Sequence, residues 1–134
     1  PTRETLPIQA IIRRIAAATR TTPQQGEPLT VLHYAPGEQY REHLDTLPHE
    51  PNQRIRTALT YLNSGYAGGE THFPVEGLKV AGGGGDTVVF DNVLPGTEEP
   101  DPRSRHASVP IRQGTKWAVT RWIRARPLDL WNLR

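Results

Sequence analysis

Neither cysteine nor methionine occurs anywhere in the 134 residues. No disulfide can brace this chain, and no thiolate can join a structural zinc site of the usual Cys-rich kind. With no cysteine framework to mark an oxidising compartment, the expectation leans to the cytoplasm. Methionine is missing even at position 1, which reads as a chain cut from a longer protein or trimmed at its start. Long apolar runs are lacking too. The longest are a few residues, and the N-terminus has neither the hydrophobic core nor the small-residue cleavage site of a signal peptide, so no membrane span is expected. There is no long basic run either: 16 Lys and Arg stand against 14 Asp and Glu, a net charge of +2, and electrostatics gives no reason to expect a nucleic-acid partner.

What is present suits one soluble domain, with 35% hydrophobic residues and enough chain to bury a core. Ile8, Ile11, Ile12 and Ile15 recur at helical spacing, with Arg13, Arg14 and Arg20 towards the other side and end, and Pro7 suits a first helical turn. After that the pattern turns to short extended segments separated by Pro and Gly: LTVLHY, RIRTALTYLN, GLKV, DTVVF and KWAVTRWIRA. Many short strands beside one helix predict a mainly β fold, a sandwich or jelly roll. The GGGG run at 82–85 has no Lys-Ser or Lys-Thr after it and reads as a strand connection rather than a phosphate loop, and Pro95 to Pro102 reads as a surface loop.

Four residues carry chemistry. His43 and Asp45 form an H-x-D pair, and residues i and i+2 of an extended segment project from one face, so both can grip one ion. His106 would arrive from another strand to complete two imidazoles and one carboxylate, the facial triad that holds non-haem Fe(II) and leaves three positions open. Lys116, ten residues later, is a candidate anchor for an anionic co-substrate. The period of two puts Lys116, Ala118, Thr120 and Trp122 on one face, with Trp117, Val119, Arg121 and Ile123 on the other. It likewise groups Ile55, Thr57, Leu59 and Tyr61 against Arg54 and Arg56. Thr57 and Tyr61 then offer hydroxyls, and Leu59 an apolar contact, to a carboxylate beside Lys116. Thr120 suits a supporting role, steadying a ligand or an ordered water.

From about Leu29 to Trp122 the chain resembles the catalytic core of the prolyl 4-hydroxylase family of 2-oxoglutarate- and Fe(II)-dependent dioxygenases. The strings HYAPGEQYREHLD, RIRTALTYLN, GGETHFP, GDTVVFDN and DPRSRHASVPIRQGTKWAVTRW carry the resemblance, in the family's order. It implies a double-stranded β-helix, a jelly-roll variant, with iron inside one end and an N-terminal flanking helix. It makes His43, Asp45 and His106 the iron ligands and Lys116 the partner of the distal carboxylate of 2-oxoglutarate. It supports Thr57, Tyr61 and Tyr34 around that carboxylate. The implied cofactors are Fe(II), 2-oxoglutarate and O2, with ascorbate a candidate further one, and the implied reaction is hydroxylation of an unactivated C–H while 2-oxoglutarate becomes succinate. Tyr40, Arg103 and Trp122 are candidates for the prime-substrate pocket, and peptidyl proline is the implied substrate. A small molecule or another residue as substrate, or a non-catalytic metal-binding or sensing module on the same jelly roll, are the alternatives. Lys116 beside a whole triad argues against the last, since a structural metal needs no co-substrate anchor.

His33, His49 and His72 fall where the resemblance assigns no ligand. The loop from Thr46 to Asn52 borders the expected metal site and reads either as a gating lid or as an inert connector. Family catalytic domains have further elements ahead of the single helix found here, so residues 1–134 are expected to be one catalytic domain lacking N-terminal elements, with a sheet edge or helix-packing surface uncovered.

Overall fold

The computed structural model describes residues 5–129. One helix, α1 (Leu6–Thr19), precedes ten strands: β1 (Thr30–Tyr34), β2 (Tyr40–His43), β3 (Arg54–Tyr61), β4 (Ala67–Gly68), β5 (Thr71–Phe73), β6 (Leu78–Val80), β7 (Thr87–Asp91), β8 (His106–Ser108), β9 (Ile111–Gln113) and β10 (Lys116–Arg124). They pair antiparallel into a major sheet ordered β1-β10-β3-β7, a minor sheet ordered β2-β8-β5-β6, and a two-stranded β4-β9 ribbon. This is the expected jelly roll with a flanking helix. Among the described residues no helix is long and apolar enough to cross a membrane.

The helix starts at Thr5, with Pro7 in its first turn, and stops where Arg20 turns left-handed and its N–H bonds back to Ala17 O at 3.3 Å. Its buried stripe is Ile12, Ile15, Ala16 and Thr19. Ile11, grouped with the apolar positions from spacing alone, is 42% exposed: at 100° per residue it falls off that stripe. Ile15 packs with Ala58 of β3 and Ile123 of β10, with Leu29 against them, closing the outer face of the major sheet.

Alternation along β10 is as the spacing predicts. Lys116, Ala118, Thr120 and Trp122 line the cavity between the sheets, while Ile123 packs under the helix. Alternation along β3 fails at one end. The pairing shifts between Ile123 and Arg124, so that Arg124 lies opposite Arg54, two residues from the Arg56 partner of Ile123. That irregularity carries Arg54 away from the outer face shared with Arg56. Arg56 stays there, donating to Thr19 O at the helix end, whereas the Arg54 guanidinium lies 4.1 Å from the centre of the Trp122 ring on the cavity side.

Glu27 ties this corner together. Its carboxylate accepts from Arg54 Nε at 2.6 Å and Nη2 at 2.9 Å, and from Arg124 Nε at 2.9 Å, while its own N–H donates to Trp122 O at 2.8 Å. Burial pushes the Glu27 carboxyl up, but the two guanidiniums outweigh it and leave the pKa below its ordinary value. A depressed carboxylate stabilises the fold above its unfolded pKa and loses that contribution as pH falls through the folded one. Glu27→Gln should therefore cost about 1.5–3 kcal/mol at neutral pH, the worth of hydrogen bonds to a charged acceptor, and much less below the ordinary carboxylate range. Urea unfolding at both pH values measures the difference; an equal cost at both would show that the charge contributes nothing.

Glycine is required at Gly82, where a Cβ would sit 2.1 Å from Tyr61 Cδ2, so the run that reads as a simple connection also makes room for a buried ring. The Thr46–Asn52 loop is pinned by the buried Gln53, whose side chain accepts from Leu47 N and donates to Leu47 O, both at 2.8 Å. A loop tied in this way suits a connector better than a lid.

Candidate metal and co-substrate site

His43 ends β2 and lies opposite His106, the first residue of β8, so the antiparallel pairing itself brings the two imidazoles together. Asp45 follows just past the strand end. The three side chains each offer one ligand atom, all within 4.8 Å of one another: His43 Nε2 is 3.1 Å and His106 Nε2 3.5 Å from Asp45 Oδ1. His43 Nδ1 lies 2.7 Å from Arg41 O and His106 Nδ1 lies 2.8 Å from Ser104 O. A carbonyl can only accept, so each Nδ1 carries its proton and each Nε2 is turned to the site as the ligand nitrogen.

Charge at the site follows from the same contacts. Burial pushes the Asp45 carboxyl up, but the His43 hydrogen bond, the His106 ring and the Thr57 hydroxyl together hold it below its ordinary value. Burial lowers His106, only partly offset by Asp45, so this imidazole is neutral. Burial also opposes a charge on His43, yet its bond to Asp45 and to Arg41 O leave it raised. The His43 and His106 Nε2 atoms and Asp45 Oδ1 thus converge on one point, where a cation can take the place of the His43–Asp45 contact. Two imidazole nitrogens and one carboxylate, with no thiolate, fit a borderline ion such as Fe(II).

Behind the triad lies Lys116, 1% exposed. Its ammonium donates to Gly69 O at 2.7 Å and Ser108 Oγ at 3.0 Å and faces the rings of Tyr34 and Tyr61 at 5.0 and 5.1 Å. Among the described residues no carboxylate lies within ion-pair distance, and desolvation pulls its pKa down to about 8. Glu70 acts on it only from beyond ion-pair distance, and a buried cation with one donor left over and no paired carboxylate among the described residues is costly unless an anion joins it. The approach of Gly69 is close: a Cβ there would lie 2.5 Å from Ile111 Cδ1 and 3.1 Å from Lys116 Cδ.

Of the other residues singled out from sequence, Tyr34 lines the cavity, its pKa pushed up to about 12 by burial against a hydrogen bond with Ser108. Tyr61 is buried beside Lys116 and its hydroxyl lies 2.5 Å from Thr71 Oγ1. Thr57 is also in the cavity, but its hydroxyl donates to Asp45 Oδ2 at 2.6 Å, placing it under the metal ligand rather than on Lys116. Leu59, Thr120 and Trp122 line the wall, and the Trp122 indole N–H is buried without a hydrogen-bond partner among the described residues. Tyr40 stands at the rim, 41% exposed, its ring stacked 4.0 Å from that of His43. Arg103 does not join them: it is exposed and paired with Asp101 at 2.8 Å. His33 packs at a tilt against Trp117, and His72 sits opposite Ala107 and Lys79; neither is in the ligand cluster, and nor is His49.

Thr71, Phe90 and Ser108 in the cavity wall, and Asn92 buried behind Thr57, escape the sequence reading. Ser108 lies two residues after His106, on the same face by strand parity, and Thr71 is its partner across β5 and β8. Phe90 is opposite Thr57 and packs on the His106 ring at 4.8 Å, and Asn92, two residues on, donates to Thr57 Oγ1 at 2.8 Å. Parity within DTVVFDN marks Phe90 and Asn92 as neighbours, but only the β3–β7 register shows what they face.

Residues 29–124 match the family model described as the 2OG-Fe(II) oxygenase superfamily. Two Arabidopsis thaliana relatives are prolyl 4-hydroxylase 1, 35% identical over 89% of this chain and 48% of its own, and prolyl 4-hydroxylase 13, 36% identical over 91% and 52%. The chain spans about half the length of these relatives. Among solved structures, the viral collagen prolyl hydroxylase of Paramecium Bursaria Chlorella virus-1 in its 2OG complex superposes with a TM-score of 0.74 at 28% identity, covering 89% of this chain and 71% of that one. A Pseudomonas putida prolyl-4-hydroxylase shares the fold, with a TM-score of 0.64 at 24% identity over 96% and 71% of the two chains.

Proposed function

We propose that this chain, which belongs to the 2OG-Fe(II) oxygenase superfamily, is the catalytic core of a 2-oxoglutarate- and Fe(II)-dependent prolyl 4-hydroxylase acting on peptidyl proline. The observation that carries the reading is the buried Lys116, with no ion-pair partner among the described residues, in the same cavity as His43, Asp45 and His106. A metal site alone needs no such cation; a dicarboxylate that reaches from the metal to Lys116 does.

His43, Asp45 and His106 would hold Fe(II) on one side and leave the cavity side open. Lys116 binds the far carboxylate of 2-oxoglutarate, with Ser108 and Tyr34 beside it. Bound Fe(II), 2-oxoglutarate and O2 together supply the C–H oxidation and release succinate. Leu32, Leu59, Phe90 and Ala118 give the cavity apolar walls that exclude water from that chemistry. Tyr40 at the rim and Trp122, with Arg54 stacked on it, offer aromatic faces and donors to a proline ring and a peptide carbonyl.

The relatives and the viral neighbour bear the name prolyl hydroxylase, which supports a protein or peptide substrate. With Fe(II), 2-oxoglutarate and oxygen, proline-containing peptides should raise succinate formation above the rate without them and gain one oxygen on proline, read by mass spectrometry beside free proline and free lysine. Oxidation of a free amino acid alone, with every peptide untouched, would reject the peptidyl-proline assignment and leave the metal and co-substrate assignments standing.

A further inference from the structure

Asp45 has two oxygens with different surroundings. Oδ1 faces both histidine Nε2 atoms, while Oδ2 is turned to Thr57. Thr57, 2% exposed, has one hydroxyl proton and a carboxylate can only accept, so that proton points at Oδ2. The Thr57 oxygen must then accept from Asn92 Nδ2 at 2.8 Å. This fixes the orientation of the Asn92 amide and leaves its Oδ1, in a residue 0% exposed, with no hydrogen-bond partner among the described residues. The Asn92 backbone is held on both sides, its N–H donating to Ile55 O at 2.8 Å and its carbonyl accepting from Asp101 N at 3.0 Å, which fixes the point from which its amide reaches Thr57. A buried acceptor left unsatisfied is uncommon, and here it follows directly from the demand made by Asp45.

We infer that Asn92 is a positioning residue that acts through Thr57 to withhold Oδ2 of Asp45 from the metal, so that the aspartate binds through one oxygen and three coordination positions stay open. Without the Asn92 donor the Thr57 oxygen loses the contact that aims its O–H at Asp45, its hold on Oδ2 weakens, and the carboxylate can close on the ion with both oxygens, consuming a position. The inference rests on the metal reading of the triad and concerns how many sites the triad leaves.

Mn(II) alone is the probe, because water-proton relaxation counts the waters on a bound ion without any turnover. At metal saturation, Asn92→Leu and Thr57→Val should each lower the relaxation enhancement per bound Mn(II) to about two thirds of the unsubstituted protein, from three waters to two. The double variant should fall no further, since the two residues form one path. Unchanged relaxation in either single variant, or a further fall when Asn92→Leu is added to Thr57→Val, would overturn the inference. If Asn92→Leu does not fold, Asn92→Ala takes its place in the same cycle, and Thr57→Val alone still decides whether Oδ2 is withheld. Failure of the unsubstituted protein to bind Mn(II) would instead sink the metal reading itself.

Discussion

Lys116→Ala should raise the 2-oxoglutarate concentration needed for half-maximal turnover by far more than it changes the Fe(II) requirement. The substitution removes the one cation that lines the cavity among the described residues and would leave the bound carboxylate buried and unpaired, a loss of about 2–5 kcal/mol. That corresponds to roughly 30-fold to several thousand-fold in affinity. Lys116→Arg should fall between, because a guanidinium pairs with a carboxylate but cannot reproduce the reach of an ammonium between Gly69 O and Ser108 Oγ. The pH dependence adds a second signature. Desolvation holds the Lys116 pKa at about 8, so the charge is present below that value and lost above it. An anion binds the protonated form, and half-saturation should therefore climb by about tenfold per pH unit once pH is well above 8. The Arg variant keeps its charge and should show no such climb. An unchanged 2-oxoglutarate dependence in Lys116→Ala, from initial rates of succinate formation, would remove the co-substrate assignment.

The reach of the sequence can be judged from particular residues. Lys116 and Trp122 were placed on one cavity face from the period of two alone, because β10 is unbroken from Lys116 to Trp122 and pairs in register with β1 and β3. The same rule misplaced Arg54, because a pairing irregularity near Ile55 is a property of two strands together and leaves no mark in one. H-x-D suggested a shared face, yet what joins the triad is the cross-strand pairing of His43 with His106, a contact of residues 63 positions apart. Strand parity puts Thr57 beside Lys116, and in the structure it lines the cavity with its hydroxyl on Asp45 Oδ2. Its hydroxyl could serve either Asp45 or the co-substrate, and only the third dimension distinguishes the two. Asn92 was beyond reach for a related reason: an asparagine at a strand end reads as a turn residue until β7 is laid beside β3.

Replacing His43, Asp45 or His106 singly with Ala should abolish detectable Fe(II)-dependent turnover, the largest effect expected anywhere in the chain. Each supplies one of three donor atoms converging within 4.8 Å, and no other His, Asp or Glu among the described residues joins that group to stand in for a lost one. The triad also polarises itself. Asp45→Ala would leave His43 without the partner that raises its pKa and His106 without the charge that offsets its burial, so the remaining pair would hold an ion by two neutral nitrogens. His106→Ala would in addition open a void beside Phe90 and Phe73, whose rings flank the imidazole at 4.8 and 5.6 Å. Thermal unfolding must therefore accompany the assay for that variant. His33→Ala and His72→Ala are the controls. His33 packs against Trp117 away from the cavity, and His72 alternates with the inward-facing Thr71 and Phe73, so neither ring can reach the ion. Both variants should retain Fe(II)-dependent succinate formation. Loss at His72 equal to that at His106 would mean that the ligand set has been chosen wrongly.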